Sequence, residues 1–398
     1  METEVIVVGA GMVGLACALA LVQKGFQVVL LEAQSELPVG MPSETDPFDT
    51  RVVAISRATE NFLAQLGVWA LIKQSRYCAY QHMRIWDQVA DGLIQFSAMD
   101  FFEPDLGHII EQRVIKSALW QALMQHPACS IKTGTKITAL QTDAQQSQLI
   151  LQDGSVLSAS LVIAADGAPS QIRNLCQIAT TSWEYQQSAI VATVRGTRTH
   201  QATAYQRFSP DGPLALLPLA DCHQSSIVWT TTPMEAKSLC ALSASDFALA
   251  LTREMDGVMG EMHLMSERII FPLRTHHAKQ YAVARCVLVG DAAHTLHPLA
   301  GQGVNLGFLD IIALVAVLEK TKARGRDFGA LMVLKRYERA RKLHNQMMIV
   351  AMELFKRGFG SRITIIQRLR NIGLNWVDNQ KPLKQWFAKV ALGSAQGI

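Results

Sequence analysis

The sequence predicts an α/β chain: a Rossmann-like nucleotide-binding domain, a sheet-rich domain inserted into it, and a helical C-terminal tail. Three observations predict it. An apolar strand runs into Gly9-Ala10-Gly11-Met12-Val13-Gly14; a second ends at Asp166-Gly167; a third ends at Gly290-Asp291, followed by Pro298 and Gly301-Gln302-Gly303-Val304-Asn305. Each puts a glycine turn at the carboxyl end of a buried strand, where ligands gather in open α/β sheets.

The first strand is Glu4 to Val8, an apolar β-branched run, and Leu15 to Lys24 has helical character. Between them Gly9 permits the tight turn, Gly11 lets backbone approach a pyrophosphate, and Gly14 lets helix pack on strand. A second strand, Gln27 to Leu31, ends at Glu32, placed to accept hydrogen bonds from an adenosine ribose and to repel a 2′-phosphate. The stretch Gln34 to Thr50, with three prolines and four acidic residues, is an exposed excursion. Helices are expected over Arg57 to Lys73, interrupted at Gly67, and over Gln112 to Gln125. Ile131 to Leu140, Gln148 to Leu151 and Val156 to Ala164 are expected strands, with turns at Asp143 and Asp153-Gly154. From Ser188 to Pro233 the apolar period moves towards two, which marks the inserted sheet. Ala284 to Val289 is the strand that delivers Gly290-Asp291, and Leu306 to Leu318 is the helix beyond it. The division expected is 1–75, 101–180 and 270–330 for the nucleotide-binding domain, 76–100 and 181–269 for the inserted substrate domain, and 331–398 for the helical tail.

Composition narrows the class. With 49% apolar and 18% charged residues, the chain suits a soluble fold with a large core. Val5 to Gln23 is 19 residues without a charge, long enough to span a bilayer, but its three glycines sit where a strand should turn into a helix and no basic flank precedes it. Cysteines at 17, 78, 129, 176, 222, 240 and 286 form no close pair, which argues against a disulfide framework or zinc site and for a reducing cytoplasm. Cys17 is expected in the core.

A glycine loop alone indicates only a dinucleotide. Two further glycine–aspartate turns are what a cofactor with a ribityl chain and an isoalloxazine ring needs, so the expected cofactor is FAD. Gly9, Gly11, Val13, Gly14 and Glu32 would hold its adenosine half, with Asp166 in the mid-chain turn. Asp291 would meet a ribityl hydroxyl, and Pro298 with Gly301, Gln302, Gly303, Val304 and Asn305 would bring a helix N-terminus to the flavin pyrimidine edge. His294 and His297 have no third partner at metal spacing, so no metal is expected; His294 is expected to order its loop by hydrogen bonds.

With these motifs the chain resembles the aromatic-ring flavoprotein monooxygenases, and within them the ubiquinone-biosynthesis flavin hydroxylases. The likeness spans nearly the whole chain: Asp49 to Ile55, Leu66 to Trp69, Gly107 to Arg113 leading to Leu119-Trp120, Gly290 through Gly307, Leu369 to Leu374 and Ala391 to Gly393. Tyr185 to Trp229 looks most like the branch that hydroxylates 2-octaprenylphenol at ring carbon five. Gln112 departs from the asparagine that many relatives carry.

The resemblance implies a flavin reduced by an NAD(P)H donor and one atom of dioxygen transferred to the ring of a polyprenylated phenol. It carries over Arg51 and Arg113 as FAD contacts. It requires no nucleophilic side chain, so no catalytic residue is nominated. No second nicotinamide motif is present, so the donor is expected to visit transiently. Other proteins of ubiquinone biosynthesis and a second copy of the chain are expected partners; nucleic acid is not. Leu217, in the apolar run Leu214 to Leu219, and Leu299 are expected to line an apolar substrate pocket that excludes water.

Residues 331–398 hold 13 Lys or Arg against three Asp or Glu, although the whole chain is only +4. This tail is also apolar. Met347 to Phe355 are expected to pack on the FAD-binding domain, and Arg362 to Lys389 to meet a partner or the anionic inner face of a membrane. Two other classes remain open: a hydroxylase of another ring position or of a small soluble aromatic, and a non-catalytic flavoprotein scaffold. A halogenase would need a Trp-x-Trp-x-Ile-Pro motif, and the sequence has none.

Overall fold

The computed structural model describes residues 2–37, 40–87, 93–295 and 303–360. Three sheets organise them. The nucleotide-binding sheet has the strand order Ala282–Val283, Cys286–Leu288, Val156–Ala164, Glu2–Val8, Val28–Leu31, Cys129–Lys132. The first of these five pairings is antiparallel, and the other four are parallel. Such strands are buried on both faces and need continuous apolar sequence, which Val5 to Val8 and Leu161 to Ala164 supply. The helix Met12–Gln23 covers one face and is buried from Gly14 to Val22, including Cys17. That burial explains the charge-free stretch without a membrane. Among the described residues, no helix is long and apolar enough to cross one.

The inserted sheet runs His294–Thr295, Ile269–Ala278, Thr180–Gly196, Gln224–Thr231, Gly212–Pro218, Thr203–Ser209, His82–Asp87, Leu93–Ser97. Its core is Ile190, Ala192, Val194, Leu214, Leu216 and Ile227 against Phe247, Leu251 and Met255. A small third sheet, Val52–Ile55, Gly107–Glu111 and Tyr77–Tyr80, has two strands of the inserted sheet, His82–Asp87 and Leu93–Ser97, between its own in the chain.

Four sequence expectations change. Ile131 to Leu140 is not one strand: the parallel strand ends at Lys132 and a hairpin strand starts at Ile137. The chain reverses at Gly134, whose φ of +65° a side chain would strain. The inserted sheet takes in Ile269–Ala278, paired along Thr180–Gly196, so it runs past residue 269. Tyr77–Tyr80 leaves it for the small sheet. Finally, two helices, Pro233–Ala241 and Ala244–Glu254, cover the inserted sheet. Thr232 and Ser243 cap them, and a proline sits in the first turn of the former. Their Thr-x-x-Glu and Ser-x-x-Asp spacing was a readable helix-start signal.

The C-terminal helix runs Leu331–Gly360. Its apolar stripe is divided, contrary to the packing expected for Met347 onward. Ile349 is buried with Leu306 and Leu309, whereas Met347 and Val350 are exposed. Arg362 to Lys389 lie outside the described residues.

Candidate FAD and substrate site

The glycine loop is built by exclusion. A Cβ on Gly14 would stand 1.8 Å from the Gly9 carbonyl oxygen, and one on Gly9 would stand 2.5 Å from that of Ala165. Gly9 also has φ +101°. These contacts bring the first strand, the helix and the Asp166 turn together. Gly11 differs: a Cβ there would meet nothing within 4 Å. The space over Gly11 is what an approaching pyrophosphate needs, at the N-terminus of a helix with free N–H groups. Glu32 closes the loop, its Oε2 accepting the Ala10 N–H at 2.7 Å.

At the second turn, Asp166 Oδ2 accepts the Ile172 N–H at 3.0 Å. Its Oδ1 is buried with no partner. A buried carboxylate oxygen without a donor is costly, so it fits a ligand hydroxyl or N–H supplied from outside. Arg173, on the short helix Gln171–Leu175, ties this turn to the next by donating to the carbonyls of Ala168 and Ala292, both at 2.8 Å.

At the third turn, Gly290 has φ +57°. The helix Gly303–Lys322 approaches so closely that a Cβ on Gly307 would lie 2.7 Å from Val13 Cγ2. Val13 is thus the wedge between the loop helix and the third motif. Asp291 is exposed at the turn, and its carbonyl accepts from His276 Nε2 at 2.9 Å. Burial, then the charge of Arg173, push His276 down to about 4, so the ring is neutral and free to donate. His294 orders its loop through Asp310, Nε2 to Oδ2 at 2.6 Å. His294–Thr295 then pairs with Ile269–Ala278, which joins the motif to the inserted sheet.

Asn305 does something the sequence did not suggest. Its Oδ1 accepts from Ser56 N–H (3.0 Å) and Thr59 Oγ1 (2.8 Å), and its Nδ2 donates to Ala54 C=O (2.8 Å). The amide clamps the small sheet to the long helix, with its oxygen accepting twice and its nitrogen donating once. Val304 packs at the edge of the main core. Pro298, Leu299, Gly301 and Gln302, with His297, lie outside the described residues; Gly303 opens the helix, with room for a Cβ.

The two arginines stand near the small sheet. Arg113 Nε donates to Glu111 Oε1 at 3.1 Å, and its Nη2 donates to Pro47 C=O. Glu111 is buried and also takes Arg76, Nη2 to Oε1 at 3.0 Å. Arg76 was not anticipated; nothing in its local sequence marks it. Arg51 lies over the Phe271 ring at 4.6 Å, and its carbonyl accepts the Gln112 N–H at 3.0 Å. A cleft of about 540 Å³ opens here, lined in part by Phe48, Arg76, Tyr77, Thr193 and Asp221. The Ser75 and Thr193 hydroxyls on its wall are buried without partners. Leu217 points away from the inserted-sheet core and packs with Ala54, Ile109, Leu219 and Phe48, on the seam between sheets.

The chain matches the family model described as FAD binding domain over residues 2–351. It is 37% identical to the 3-demethoxyubiquinol 3-hydroxylase of Escherichia coli K12, covering 98% of each chain. It is 33% identical to the mitochondrial ubiquinone biosynthesis monooxygenase COQ6 of Danio rerio, covering 96% of this chain and 88% of that one. Among solved structures, p-nitrophenol 4-monooxygenase PnpA of Pseudomonas putida DLL-E4 shares the fold: TM-score 0.80, 18% identity, full coverage of both chains. The chain therefore belongs to the FAD-binding-domain family and, within it, to the ubiquinone-biosynthesis flavin hydroxylases. It is an FAD-dependent aromatic monooxygenase.

Proposed function

From that membership we propose that the protein hydroxylates the ring of a polyprenylated phenol at ring carbon five, using dioxygen and NAD(P)H. The observation that supports carbon five is the inserted-sheet sequence Tyr185 to Trp229, which resembles the carbon-five branch. A second reading places the hydroxyl at the position named in the E. coli relative, and the 37% identity favours it. Bound FAD supplies the oxygen-insertion chemistry. Gly11 and the loop-helix N-terminus bind its pyrophosphate, Glu32 faces its ribose, and Asp166 and Asp291 take hydroxyls along its length. Arg51 and Arg113 complete the binding set. Pro298 and Gly301 to Asn305 approach the ring system, the last through main chain, because the Asn305 amide is engaged.

The substrate ring meets the flavin at the seam, with Leu217 excluding water so that reducing power is not lost as hydrogen peroxide. The polyprenyl chain favours a peripheral position on the cytoplasmic face of the membrane, reached through the basic residues after 360. A homo-oligomer and contacts with other enzymes of the pathway fit the same reading.

The decisive experiment is mass spectrometry of the quinone intermediates that accumulate when the gene is deleted. Accumulation of a precursor lacking the carbon-five hydroxyl supports the first reading; 3-demethoxyubiquinol supports the second; an untouched pathway overturns both. At the seam, Leu217→Asn should keep FAD bound and raise hydrogen peroxide per product. Loss of FAD would place Leu217 in the core instead.

A further inference from the structure

Four residues on one face of the helix Leu331–Gly360 reach towards the Gly290-Asp291 turn: one bonds its strand, one the neighbouring strand, and two bond Asp310 on the helix Gly303–Lys322. Tyr337 donates its hydroxyl to Leu288 C=O at 2.9 Å. Glu338 Oε2 accepts the N–H groups of Tyr281 (2.8 Å) and Ala282 (3.0 Å). Arg341 Nε donates to Asp310 Oδ1 at 2.9 Å, and its Nη2 donates to Asn345 Oδ1 at 2.8 Å. Asn345 Nδ2 reaches the same Asp310 oxygen at 3.2 Å.

Asp310 is the hub. Its other oxygen accepts the Gly290 N–H at 3.1 Å and His294 Nε2 at 2.6 Å. The carboxylate is 0% exposed. Burial opposes its ionisation, but His294 and Arg341 outweigh that and hold it below the ordinary carboxylate range. An anion so placed fixes whatever donates to it, and it is stable there only while its cation stays. One of its donors is the backbone N–H immediately before Asp291.

We propose that Asp310 and Arg341 are positioning residues for FAD. The C-terminal helix sets the geometry of the Gly290-Asp291 turn through the relay Arg341–Asp310–Gly290, and so sets flavin affinity. The inference rests on FAD binding and is independent of which ring carbon is hydroxylated, so a wrong carbon assignment leaves it standing. Other ionisable groups facing the hub are Tyr281, 3.3 Å from Asn345 Nδ2, and His344, 3.4 Å from Arg341 Nη1.

The test measures the dissociation constant of FAD from full-length apoprotein by flavin fluorescence quenching, beside the melting temperature of the same samples. Arg341→Met removes the arginine cation and leaves the buried Asp310 charge to His294 alone. We expect FAD affinity to fall at least tenfold, with a shifted visible flavin spectrum. Arg341→Met combined with Asp310→Asn should recover most of the affinity, because the buried charge is gone while an amide oxygen still faces the turn. Leu334→Ala is the control: it damages the same helix in its apolar core, and should lower the melting temperature with less than a twofold change in affinity.

If Arg341→Met does not yield folded protein, Arg341→Lys is read instead. It keeps the charge, loses the Nε–H geometry, and should weaken FAD three- to tenfold. Arg341 variants that lose only thermal stability, like Leu334→Ala, or a double variant as weak as Arg341→Met, would overturn the proposal.

Discussion

The first and third motifs both present a glycine turn at the carboxyl end of a buried strand, but they are held by different forces. The loop Gly9–Gly14 is held by steric exclusion: backbone approaches backbone within distances that forbid a side chain, and only Glu32 adds a charge. The turn at Gly290-Asp291 is held by a buried polar group, Asp310, which is itself paired with His294 and with Arg341 of the C-terminal helix; at the start of the Asp310 helix a second buried group, Asn305, clamps the small sheet. The first device is rigid and insensitive to protons. The second gathers charges into a core where each must keep its partner. The third turn, joined to the inserted sheet, thus rests on a network that chemistry can perturb, while the first does not.

The largest effect should come from breaking the steric device. Gly14→Ala puts a methyl against the Gly9 carbonyl, where no flexible side chain can yield. The cost should exceed the roughly 1–3 kcal/mol of ordinary overpacking. Purified protein should be colourless or insoluble, and yellow, folded Gly14→Ala protein would break the steric account.

Next comes the polar device. Asn305→Ala leaves the Ser56 N–H, the Thr59 hydroxyl and the Ala54 carbonyl without their buried partner. At roughly 1–3 kcal/mol for an unsatisfied group, a loss of about 3 kcal/mol is expected in urea unfolding, shared among groups that can relax together. A loss below about 1 kcal/mol would mean that the clamp is not what secures the helix to the small sheet.

Acid should separate the two regions further. Burial, then Arg173, hold His276 at about 4; burial, then His294 and Lys342, hold His277 at about 4. The unfolded chain protonates both near pH 6.5, while the folded one does not until about pH 4. Stability is therefore full above about pH 7 and declines as pH falls through that window, by on the order of 2 kcal/mol per histidine. Asp310 adds nothing to that loss, because its depressed pKa keeps its contribution until pH falls below the ordinary carboxylate value. Hydrogen exchange at pH 5 should quicken around 276–295 before it does around 5–22. Equal protection of both regions from pH 7.5 to 5 would remove the distinction.

The smallest effect on stability should be Gly11→Ala, whose methyl meets nothing. Apoprotein stability should stay within about 0.5 kcal/mol, as for a surface change, while FAD affinity falls because the methyl enters the pyrophosphate space. Unchanged affinity would show that the pyrophosphate lies elsewhere.

The sequence by itself determined the strand–turn–helix order, the three glycine turns, FAD as ligand and the family. These are local: a glycine spacing or a charge-free strand reports its own constraint, because the clash or burial lies within a few residues. Leu217 was readable as one of an apolar run, and its alternation with Leu216 followed from the strand period. What only the tertiary structure decided is which polar residues serve the site. Asp310 stood unremarked in the expected helix Leu306 to Leu318. Its partner Arg341 counted only as one of the 13 Lys or Arg of residues 331–398, and Asn305 looked like a ligand contact rather than a clamp on Ala54, 251 residues away. A buried charge or amide is defined by what folding brings against it, so its role cannot appear before the strands, the long helix and the C-terminal helix have met.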